Sequence, residues 1–504
     1  MPQKKIFKTM IWVTGFSVLT RALAFGFRIY LSRVLGAEIL GLFQIALSLF
    51  MLLACFSASG LPLTLSRKTA ENMVVGNTKR AHQIFSSTLI TSVITAAAFA
   101  IIFYIFPGVL SVLFADDRAG RIFLFLLPAL ITTSVYSITR AWFWGRRDYL
   151  VFSSTETLDE VLKIALAAFF ISSIFAFPQE IGLAIAFVLA DLICSIVLLV
   201  MFFKKKGKLV PPAHFPEVIK ASAPITGTRI LSSFTTSMTA LLLPVVLVFH
   251  GMTTAGATAA YGRAAGMVMP IIFAPNSLIG ALAIVLLPEI AALRIKKQED
   301  KLNSSINNAL LAATFIGGAF FALYFSAGQE LGLFLFNDIF AGQYLIVASI
   351  LTVPMSINNI ALTSLNTLGH EDKGFYSNLI GLAILAGVTF GLAGPLGIFA
   401  YFAGLIAYHF TTLIINLFLL NKYAKIKLTS LTKIPALLAV AVVALLAGRG
   451  VYYILDNRIS NILTILVIAS TVVLSYFTIA IGFGLANFRK WFRLGKSATA
   501  VTVD

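Results

Sequence analysis

The sequence has little charge, and acidic charge is the scarcest. Only 12% of its 504 residues are charged, with 20 Asp and Glu against 38 Lys and Arg, whereas about a quarter of an ordinary soluble protein is charged. The only cysteines, Cys55 and Cys194, are too few for a disulfide framework or a cysteine-based metal cluster. No G-x-x-x-x-G-K-[ST] loop occurs, which excludes an ABC-type ATPase within the chain. Any driving force must therefore come from an ion gradient, the membrane potential or mass action.

Long apolar runs fill nearly the whole chain. Residues of the set AVILMFWYC make up 59% of it, and a single soluble core stops growing at about 250–300 residues. A spanning helix needs about 20 apolar residues, and continuous runs favour helices over a barrel. The runs predict an all-α integral membrane protein with about 14 transmembrane helices. They lie at 10–34, 39–66, 85–106, 121–144, 155–176, 180–203, 220–249, 258–290, 304–326, 338–363, 375–392, 395–420, 434–454 and 460–484.

The basic excess follows this topology. With the N-terminus inside, most Lys and Arg residues fall in cytoplasmic loops and tails, and the outer loops hold only Arg33, Arg118, Arg121 and Arg458. This positive-inside bias predicts that both termini are cytoplasmic. The net charge of +18 is therefore expected to reflect topology and contact with anionic lipids, with no nucleic acid as a partner.

A weak internal repeat divides the chain. GRRDYLVFSSTETL at 145–158 resembles GHEDKGFYSNLIGL at 369–382, and the segment at 181–206 resembles that at 396–422. The repeat predicts two pseudo-symmetric, parallel six-helix bundles at 1–210 and 211–425, related by an axis along the membrane normal. Residues 426–504 would add two transmembrane helices and a basic cytoplasmic tail. Parallel halves around a central site are typical of rocking transporters.

Arginines within the apolar runs indicate a negatively charged cargo. Arg21 lies about eleven residues, or roughly 16 Å, into the first span, where exposure to lipid would cost at least about 2.5–3.5 kcal/mol. Arg28 follows two turns later, and Arg229 is the repeat counterpart of Arg21. Guanidinium groups match phosphate oxygens and stay charged. The predicted substrate-binding residues are Arg21, Arg28, Arg229 and Arg263. The alternatives are an interfacial position for Arg28 and Arg263 and a structural pair for Arg21.

A second set of charges lies in the fifth and sixth spans and is predicted to act as charge pairs or as an ion-coupling site. Its members are Glu156, Asp159, Glu160, Lys163 and Asp191. Asp159 and Lys163 are four residues apart and can pair on one helix face. Ser153 with Glu156 also fits a capping box, which is the structural alternative. Acids at such depth are rarely idle, so they could also hold a proton or a cation.

Five motifs occur in an order that identifies a family. They are TRALAFGFRIYLSRVLGAEILGLFQI at 20–45, ASGLPLTLSRKTAE at 58–71, RAWFWGRRDYLVFSSTETLDEVLKI at 140–164, SAPITGTRILSS at 222–233 and YGRAAGMVMPIIFAPNSLIGALAIVLLPEIA at 261–291. Together they resemble stage V sporulation protein B-like members of the multidrug/oligosaccharidyl-lipid/polysaccharide (MOP) exporter superfamily. The resemblance extends from the first helix to about residue 425.

The resemblance implies a V-shaped transporter, similar to MATE exporters and MurJ-type flippases, whose central cavity opens alternately to each side. It also implies translocation of undecaprenyl-linked peptidoglycan precursors for the spore cortex. Arg21 and Arg28 look like the family's first-helix arginines, and Arg229 matches a further one. Asp159 and Lys163 stand where the family usually has Glu and Arg. Arg263 occupies a position that is often acidic or neutral in relatives.

The leading hypothesis is a flippase for a lipid-linked, pyrophosphate-bearing saccharide in the bacterial cell membrane. It makes and breaks no bond, so no enzyme activity, cofactor or metal is expected. The expected partners are the lipid-linked saccharide, membrane lipids, a coupling cation or proton, and cell-wall synthases. A capsule or teichoic-type repeat-unit exporter would differ only in head group, and a cation-coupled multidrug exporter would need an acidic and aromatic cavity. A membrane-embedded glycosyltransferase or acyltransferase would need larger outer loops.

Overall fold

The computed structural model of the chain describes residues 3–172, 177–423, 425–427, 429–455 and 461–485. Within these ranges the chain is helical and contains no β-strand, which confirms the all-α prediction. The chain forms two compact units, Met1–Gly262 and Arg263–Asp504. The repeat-based division at residue 210 concerns an internal duplication and stays a prediction. The predicted basic tail lies largely outside the described residues, which end at 485.

The first unit is built from nine α-helices within its described residues. They are α1 (Gln3–Ala58), α2 (Leu61–Val74), α3 (Thr78–Ile105), α4 (Gly108–Leu113), α5 (Asp117–Gly145), α6 (Tyr149–Ile171), α7 (Gln179–Lys204), α8 (Phe215–Phe249) and α9 (Thr254–Tyr261). Trp142 of α5, Phe85 of α3 and Phe202 of α7 are fully buried at the centre of this unit. The rings of Phe85 and Phe202 stack with their centroids 4.3 Å apart, and Trp142 meets both edge-on. This aromatic core joins α3, α5 and α7.

The second unit begins one residue into a π-helical turn (Gly262–Val268) and continues through eight α-helices among its described residues. They are α10 (Met269–Ile295), α11 (Glu299–Phe336), α12 (Ile339–Ala348), α13 (Thr352–Thr367), α14 (Glu371–Leu396), α15 (Phe399–Lys422), α16 (Ile434–Leu455) and α17 (Asn461–Gly482). Short 3-10 turns occupy Ser349–Leu351 and Thr429–Thr432. The final pair packs on α11, where the rings of Tyr476 and Phe315 lie 4.9 Å apart and Ser326 donates a hydrogen bond to the Leu445 carbonyl at 3.1 Å.

The first two predicted spans share one long helix with a break inside it. α1 contains 56 residues, which at 1.5 Å per residue would measure about 84 Å, far more than the roughly 30 Å of a hydrocarbon core. Gly36 interrupts it with φ 74° and ψ 176°, a backbone conformation that is essentially restricted to glycine. The break falls between the predicted segments 10–34 and 39–66.

Twelve helical stretches among the described residues are long and apolar enough to cross a membrane. The first of them, Trp12–Val74, contains residues 12–34 of the first predicted span and all of the second. The fifth predicted span, 155–176, overlaps α6 (Tyr149–Ile171), whose 23 residues are more highly charged than those of the twelve stretches. Its charged residues are Glu156, Asp159, Glu160 and Lys163. The remaining predicted spans fall on helices, although residues 173–176 and 460 lie outside the described ranges.

The connection between α7 and α8 is fastened to α3. The Ser87 hydroxyl donates to the Ala213 carbonyl, and the Val210 amide donates to the Ser86 hydroxyl at 3.2 Å. At the start of α8, Glu217 lies 2.9 Å from both Lys68 of α2 and Arg80 of α3. These contacts fix the beginning of α8 within the first unit.

Candidate functional site

A lysine and two aspartates form a charged cluster in the first unit. Lys163 Nζ lies 2.7 Å from Asp159 Oδ2, one turn away on α6, and 3.4 Å from Asp191 Oδ1 on α7. Asp159 is only 9% exposed, and the side chains of all three residues are largely covered. The lysine therefore links two helices through carboxylates that water barely reaches.

Neutral groups from neighbouring helices complete this cluster. The Thr133 hydroxyl of α5 donates a hydrogen bond to Asp191 Oδ2, and the Lys163 ammonium lies 5.1 Å from the centre of the Phe187 ring. Asp159 Oδ1 is buried and has no hydrogen-bond partner. Two carboxylates against one ammonium leave a formal charge of about −1, and a buried carboxylate oxygen without a donor is costly. One bound proton or one monovalent cation would make the cluster electrically neutral.

Glu156 forms a separate ion pair on the same helix. Arg140 of α5 donates to Glu156 Oε2 through Nη2 and to the Phe152 carbonyl through Nε, at 3.1 Å for the latter. Its guanidinium also stacks 3.7 Å from the centre of the Phe152 ring, which adds a cation–π attraction. The capping-box prediction for Ser153 and Glu156 is wrong, because α6 begins at Tyr149 and both residues lie inside the helix.

The two first-helix arginines occupy different environments. Arg21 is exposed on α1 beside a buried contact in which the hydroxyls of Thr20 and Thr157 lie 2.7 Å apart. Arg28 is partly buried and lies within electrostatic range of Glu160 on α6. α6 thus presents Glu160 toward α1, and Asp159 toward Lys163 and α7.

Arg229 of α8 reaches the junction between α1 and α2. Its Nη1 donates a hydrogen bond to the Ser59 carbonyl at 3.1 Å, while the residue as a whole remains exposed. Ser59 lies between the end of α1 and the start of α2 and is itself buried. A carbonyl is a neutral acceptor, so this bond orients the guanidinium without cancelling its charge.

Arg263 is held within the second unit. Its Nε lies 2.6 Å from Asp338 Oδ2, and the guanidinium lies 5.1 Å from the centre of the Phe340 ring. The other oxygen of Asp338 caps α12 by accepting from the Ala341 amide at 3.0 Å. The structure thus brings Arg263 into an ion pair, a geometry that the sequence did not suggest. Its predicted role in substrate binding stays a prediction.

Several partners were not singled out from the sequence. Arg140 falls within the predicted span 121–144 and within α5, but no role was assigned to it from the sequence. Thr133 and Ser59 carry no charge signal, and Asp338 is far from Arg263 in the chain. Among the described residues, no three His, Cys, Asp or Glu side chains converge as metal ligands.

The fold, with charged pairs inside its helices, defines a polytopic α-helical membrane protein. The chain belongs to the polysaccharide biosynthesis protein family, whose model matches residues 6–294. It is 22% identical over 407 residues to stage V sporulation protein B of Bacillus subtilis (strain 168), covering 78% of this chain and 79% of that protein. It is also 22% identical over 304 residues to sporulation protein YkvU of the same organism, covering 58% and 67%.

Solved structures share the fold. The lipid II flippase MurJ in an inward closed conformation matches with a TM-score of 0.72 at 15% identity, covering 94% of this chain and 98% of that one. A MATE family multidrug resistance transporter of the MOP superfamily, in an inward-facing conformation, matches with a TM-score of 0.67 at 17% identity, covering 83% and 95%. These matches confirm the predicted MurJ- and MATE-like fold.

Proposed function

We propose that this protein translocates a lipid-linked, pyrophosphate-bearing saccharide across the bacterial cell membrane by alternating access. One observation carries the proposal beyond the family. Two acids of α6 are paired with basic side chains of the same unit, Asp159 with Lys163 and Glu156 with Arg140. Arg229, in contrast, donates to a neutral carbonyl and keeps its full positive charge for an anionic ligand.

In this mechanism the arginines attract the pyrophosphate through charge-assisted hydrogen bonds, while the polyprenyl tail stays in lipid. In the first unit the head group would meet Arg21, Arg28 and Arg229, and a role for Arg263 of the second unit stays a prediction. The guanidinium fork suits phosphate oxygens better than a lysine ammonium does, because it donates through two parallel N–H groups. No covalent bond changes, and the two halves exchange access from one side of the membrane to the other.

The finer assignment is an undecaprenyl-pyrophosphate-linked peptidoglycan precursor for the spore cortex. It is supported by the likeness to stage V sporulation protein B and by the shared fold with a protein named for lipid II. Cytoplasmic termini and association with cell-wall synthases belong to the same proposal. Another lipid-linked polysaccharide repeat unit is the alternative and would use the same arginines.

The Asp159–Lys163–Asp191 cluster is proposed as the place where a proton or cation couples to transport. Its support is the unbalanced charge of two buried carboxylates against one ammonium, together with the buried Asp159 Oδ1, which has no hydrogen-bond partner. An added positive charge would balance the cluster. The Lys163 contact to α7 would then change with occupancy, because the ammonium and the added charge compete for the same oxygens.

The test is binding of purified full-length protein to a panel of lipids, measured by native mass spectrometry. The panel contains undecaprenyl-pyrophosphate disaccharide, a plain anionic phospholipid and a cationic drug. Arg229→Ala, Arg229→Lys and Arg21→Ala are compared with the wild type. The matched control is Arg67→Ala, because the Arg67 side chain is 80% exposed on α2 and pairs only locally with Glu71.

We expect selective retention of the pyrophosphate lipid. Arg229→Ala should lower its affinity by about tenfold or more, since a charge-assisted hydrogen bond contributes about 1.5–3 kcal/mol, and Arg229→Lys should recover part of it. Arg67→Ala should bind as the wild type does. Preferred retention of the cationic drug, unchanged in the arginine variants, would overturn the proposal in favour of a drug exporter.

A further inference from the structure

A basic notch lies at the end of α5, away from the charged cluster described above. The cleft has a volume of about 350 Å³ and is lined by Ala70, Met73 and Val74 of α2 and by Gly145, Arg146 and Arg147 at the turn into α6. One wall is therefore apolar and the other carries two guanidinium groups. None of the six lining residues is acidic.

Close packing makes this notch rigid. A Cβ atom on Gly145 would lie 2.5 Å from the Ser66 carbonyl oxygen and 2.7 Å from Thr69 Cβ, so only glycine allows α5 to approach α2 this closely. Met73 packs against the aromatic core of the first unit. The apolar wall and the basic wall are thus held at a fixed separation, which favours binding by lowering the ordering cost.

Arg147 occupies a backbone position that ordinarily belongs to glycine. The end of α5 is a Schellman motif, in which the Asp148 amide bonds the Phe143 carbonyl and the Arg147 amide bonds the Trp144 carbonyl, both at 2.9 Å. Arg147 has φ 60°, and such a left-handed conformation costs a residue with a Cβ atom about 1–2 kcal/mol. The turn therefore places a charged side chain, instead of a glycine, directly after the end of α5.

The neighbouring charges leave the notch positive. Arg146 Nη1 donates to the Lys205 carbonyl at 2.9 Å, which orients its guanidinium without neutralising it. Asp148 is the nearest acid in sequence, but its carboxylate forms an ion pair with Lys205 instead. The arginines therefore keep their charge for an external anion.

The aromatic side chains beside the notch are of the types that are common at membrane–water interfaces. Trp144 is 43% exposed and contacts the rings of Tyr149 and Phe152, with centroids 5.2 and 4.4 Å away. Trp and Tyr concentrate at the level of lipid head groups. Val74, on the apolar wall, is 79% exposed. A ligand in the notch would meet basic groups at head-group depth and apolar groups beside them.

We propose that the Arg146–Arg147 notch binds the phosphate head group of an anionic membrane phospholipid, whose glycerol and upper acyl chains lie against Met73 and Val74. The site is separate from the arginines assigned to the transported substrate and does not rest on the proposed function. It would hold the ends of α2 and α5 at the surface of an anionic leaflet, which is the charge environment of the cytoplasmic face.

A second turn provides the matched control. Lys297 also has a left-handed backbone, with φ 54°, and lines a cleft of about 320 Å³ at the turn between α10 and α11. That cleft contains Glu299, whose carboxylate disfavours an anion. Lys297→Gly and Arg147→Gly remove one basic side chain at the same backbone geometry, and glycine fits both positions without strain.

The experiment is native mass spectrometry of the purified full chain with four probes. They are phosphatidylglycerol, phosphatidylcholine with the same acyl chains, undecaprenyl pyrophosphate and inorganic phosphate. Thermal unfolding of each variant first verifies the fold, and Arg147→Gly should unfold at or above the wild-type temperature. The wild type should retain phosphatidylglycerol over phosphatidylcholine. Arg147→Gly should lower that retention about fivefold, while Lys297→Gly leaves it unchanged.

Three results would overturn the proposal. One is equal retention of phosphatidylglycerol by Arg147→Gly and the wild type. Another is an equal loss of undecaprenyl pyrophosphate in Arg147→Gly, which would make the notch part of the substrate's path. The last is displacement of phosphatidylglycerol by millimolar inorganic phosphate, which would make it an ion site without lipid specificity.

Discussion

The ammonium of Lys163 in α6 lies 3.4 Å from a carboxylate oxygen of Asp191 in α7. The same ammonium bonds Asp159 on its own helix at 2.7 Å. One ammonium therefore pairs with carboxylates on two helices. Its removal would leave two buried carboxylates without their cation. Each deletion within this group has a different expected cost, because the groups left behind differ.

We predict that Lys163→Met lowers the free energy of unfolding by about 3–5 kcal/mol, since an uncompensated buried charge remains. Asp159→Asn should cost less, because the contact between Lys163 and Asp191 survives. Chemical denaturation in detergent measures both changes. Equal stability of Lys163→Met and the wild type would show that the carboxylates are hydrated or protonated without the lysine.

The break in α1 at Gly36 should make the protein sensitive to a side chain at that position. Gly36→Ala should lower the free energy of unfolding by about 1–3 kcal/mol, because φ 74° and ψ 176° are strained for any residue with a Cβ atom. The control is Gly26→Ala in the same helix, where a Cβ would meet no atom within 4 Å. Alanine favours a helix interior by about 0.5–1 kcal/mol, so this variant should be neutral or more stable. A neutral Gly36→Ala would mean that α1 can straighten.

The ion pairs of Glu217 make the stability of the fold depend on pH in the acid range. Hydrogen bonds from Lys68 and Arg80 hold the pKa of its carboxylate below the ordinary value. The charged form therefore contributes stability above the unfolded pKa of about 4.3, and that contribution is lost as the pH falls through the lowered pKa. Glu217→Gln should flatten the fall in unfolding temperature below pH 5.

The control for that measurement is Glu299→Gln, the same change at an exposed first-turn position of α11. It should reproduce the wild-type acid profile. Parallel profiles for the wild type and Glu217→Gln would show that this ion pair does not join α8 to α2 and α3 in solution.

The side chain of Asp338 has two roles that substitutions can separate: it caps α12 and it pairs with Arg263. Asp338→Asn keeps a capping oxygen for the Ala341 amide but loses the charge pair with Arg263, whereas Asp338→Ala loses both. The alanine variant should be less stable than the asparagine variant by about 1 kcal/mol, the usual contribution of a cap. A double-mutant cycle with Arg263→Ala should give a coupling energy above zero, measured by chemical denaturation. A coupling of zero would leave Arg263 available for a role outside this pair.

The sequence predicts the helices well because length and hydropathy decide them almost alone. The spans and the all-α class follow from runs of apolar residues, and the MurJ- and MATE-like fold follows from five ordered motifs. The pairing of Asp159 with Lys163 also follows, since four residues make one helical turn. Contacts between distant segments do not follow. Arg140 with Glu156, Arg263 with Asp338 and Arg229 with the Ser59 carbonyl depend on which helix faces lie together, and no local pattern encodes that.

The capping-box prediction failed for a related reason. Ser153 and Glu156 have the spacing of a helix start, but a Schellman turn after Gly145 lets the chain re-enter a helix at Tyr149. With Arg147 in a left-handed conformation, α6 has its N-cap at Asp148, five residues before Ser153. A rule based on residue type could not anticipate it, because glycine is the usual residue there.

The charges of α6 also bear on how the chain enters the membrane. A single Asp or Lys near the centre of a helix costs about 2.5–3.5 kcal/mol during insertion, and α6 carries four charged residues whose partners lie on itself and on α1, α5 and α7. Of these neighbours, α1 and α5 are synthesised before α6 and α7 is synthesised after it. The position of α6 in the bilayer therefore depends on its neighbours: Arg140 of α5 pairs with Glu156 and Arg28 of α1 faces Glu160, both from helices synthesised earlier, while Lys163 pairs with Asp159 on α6 itself.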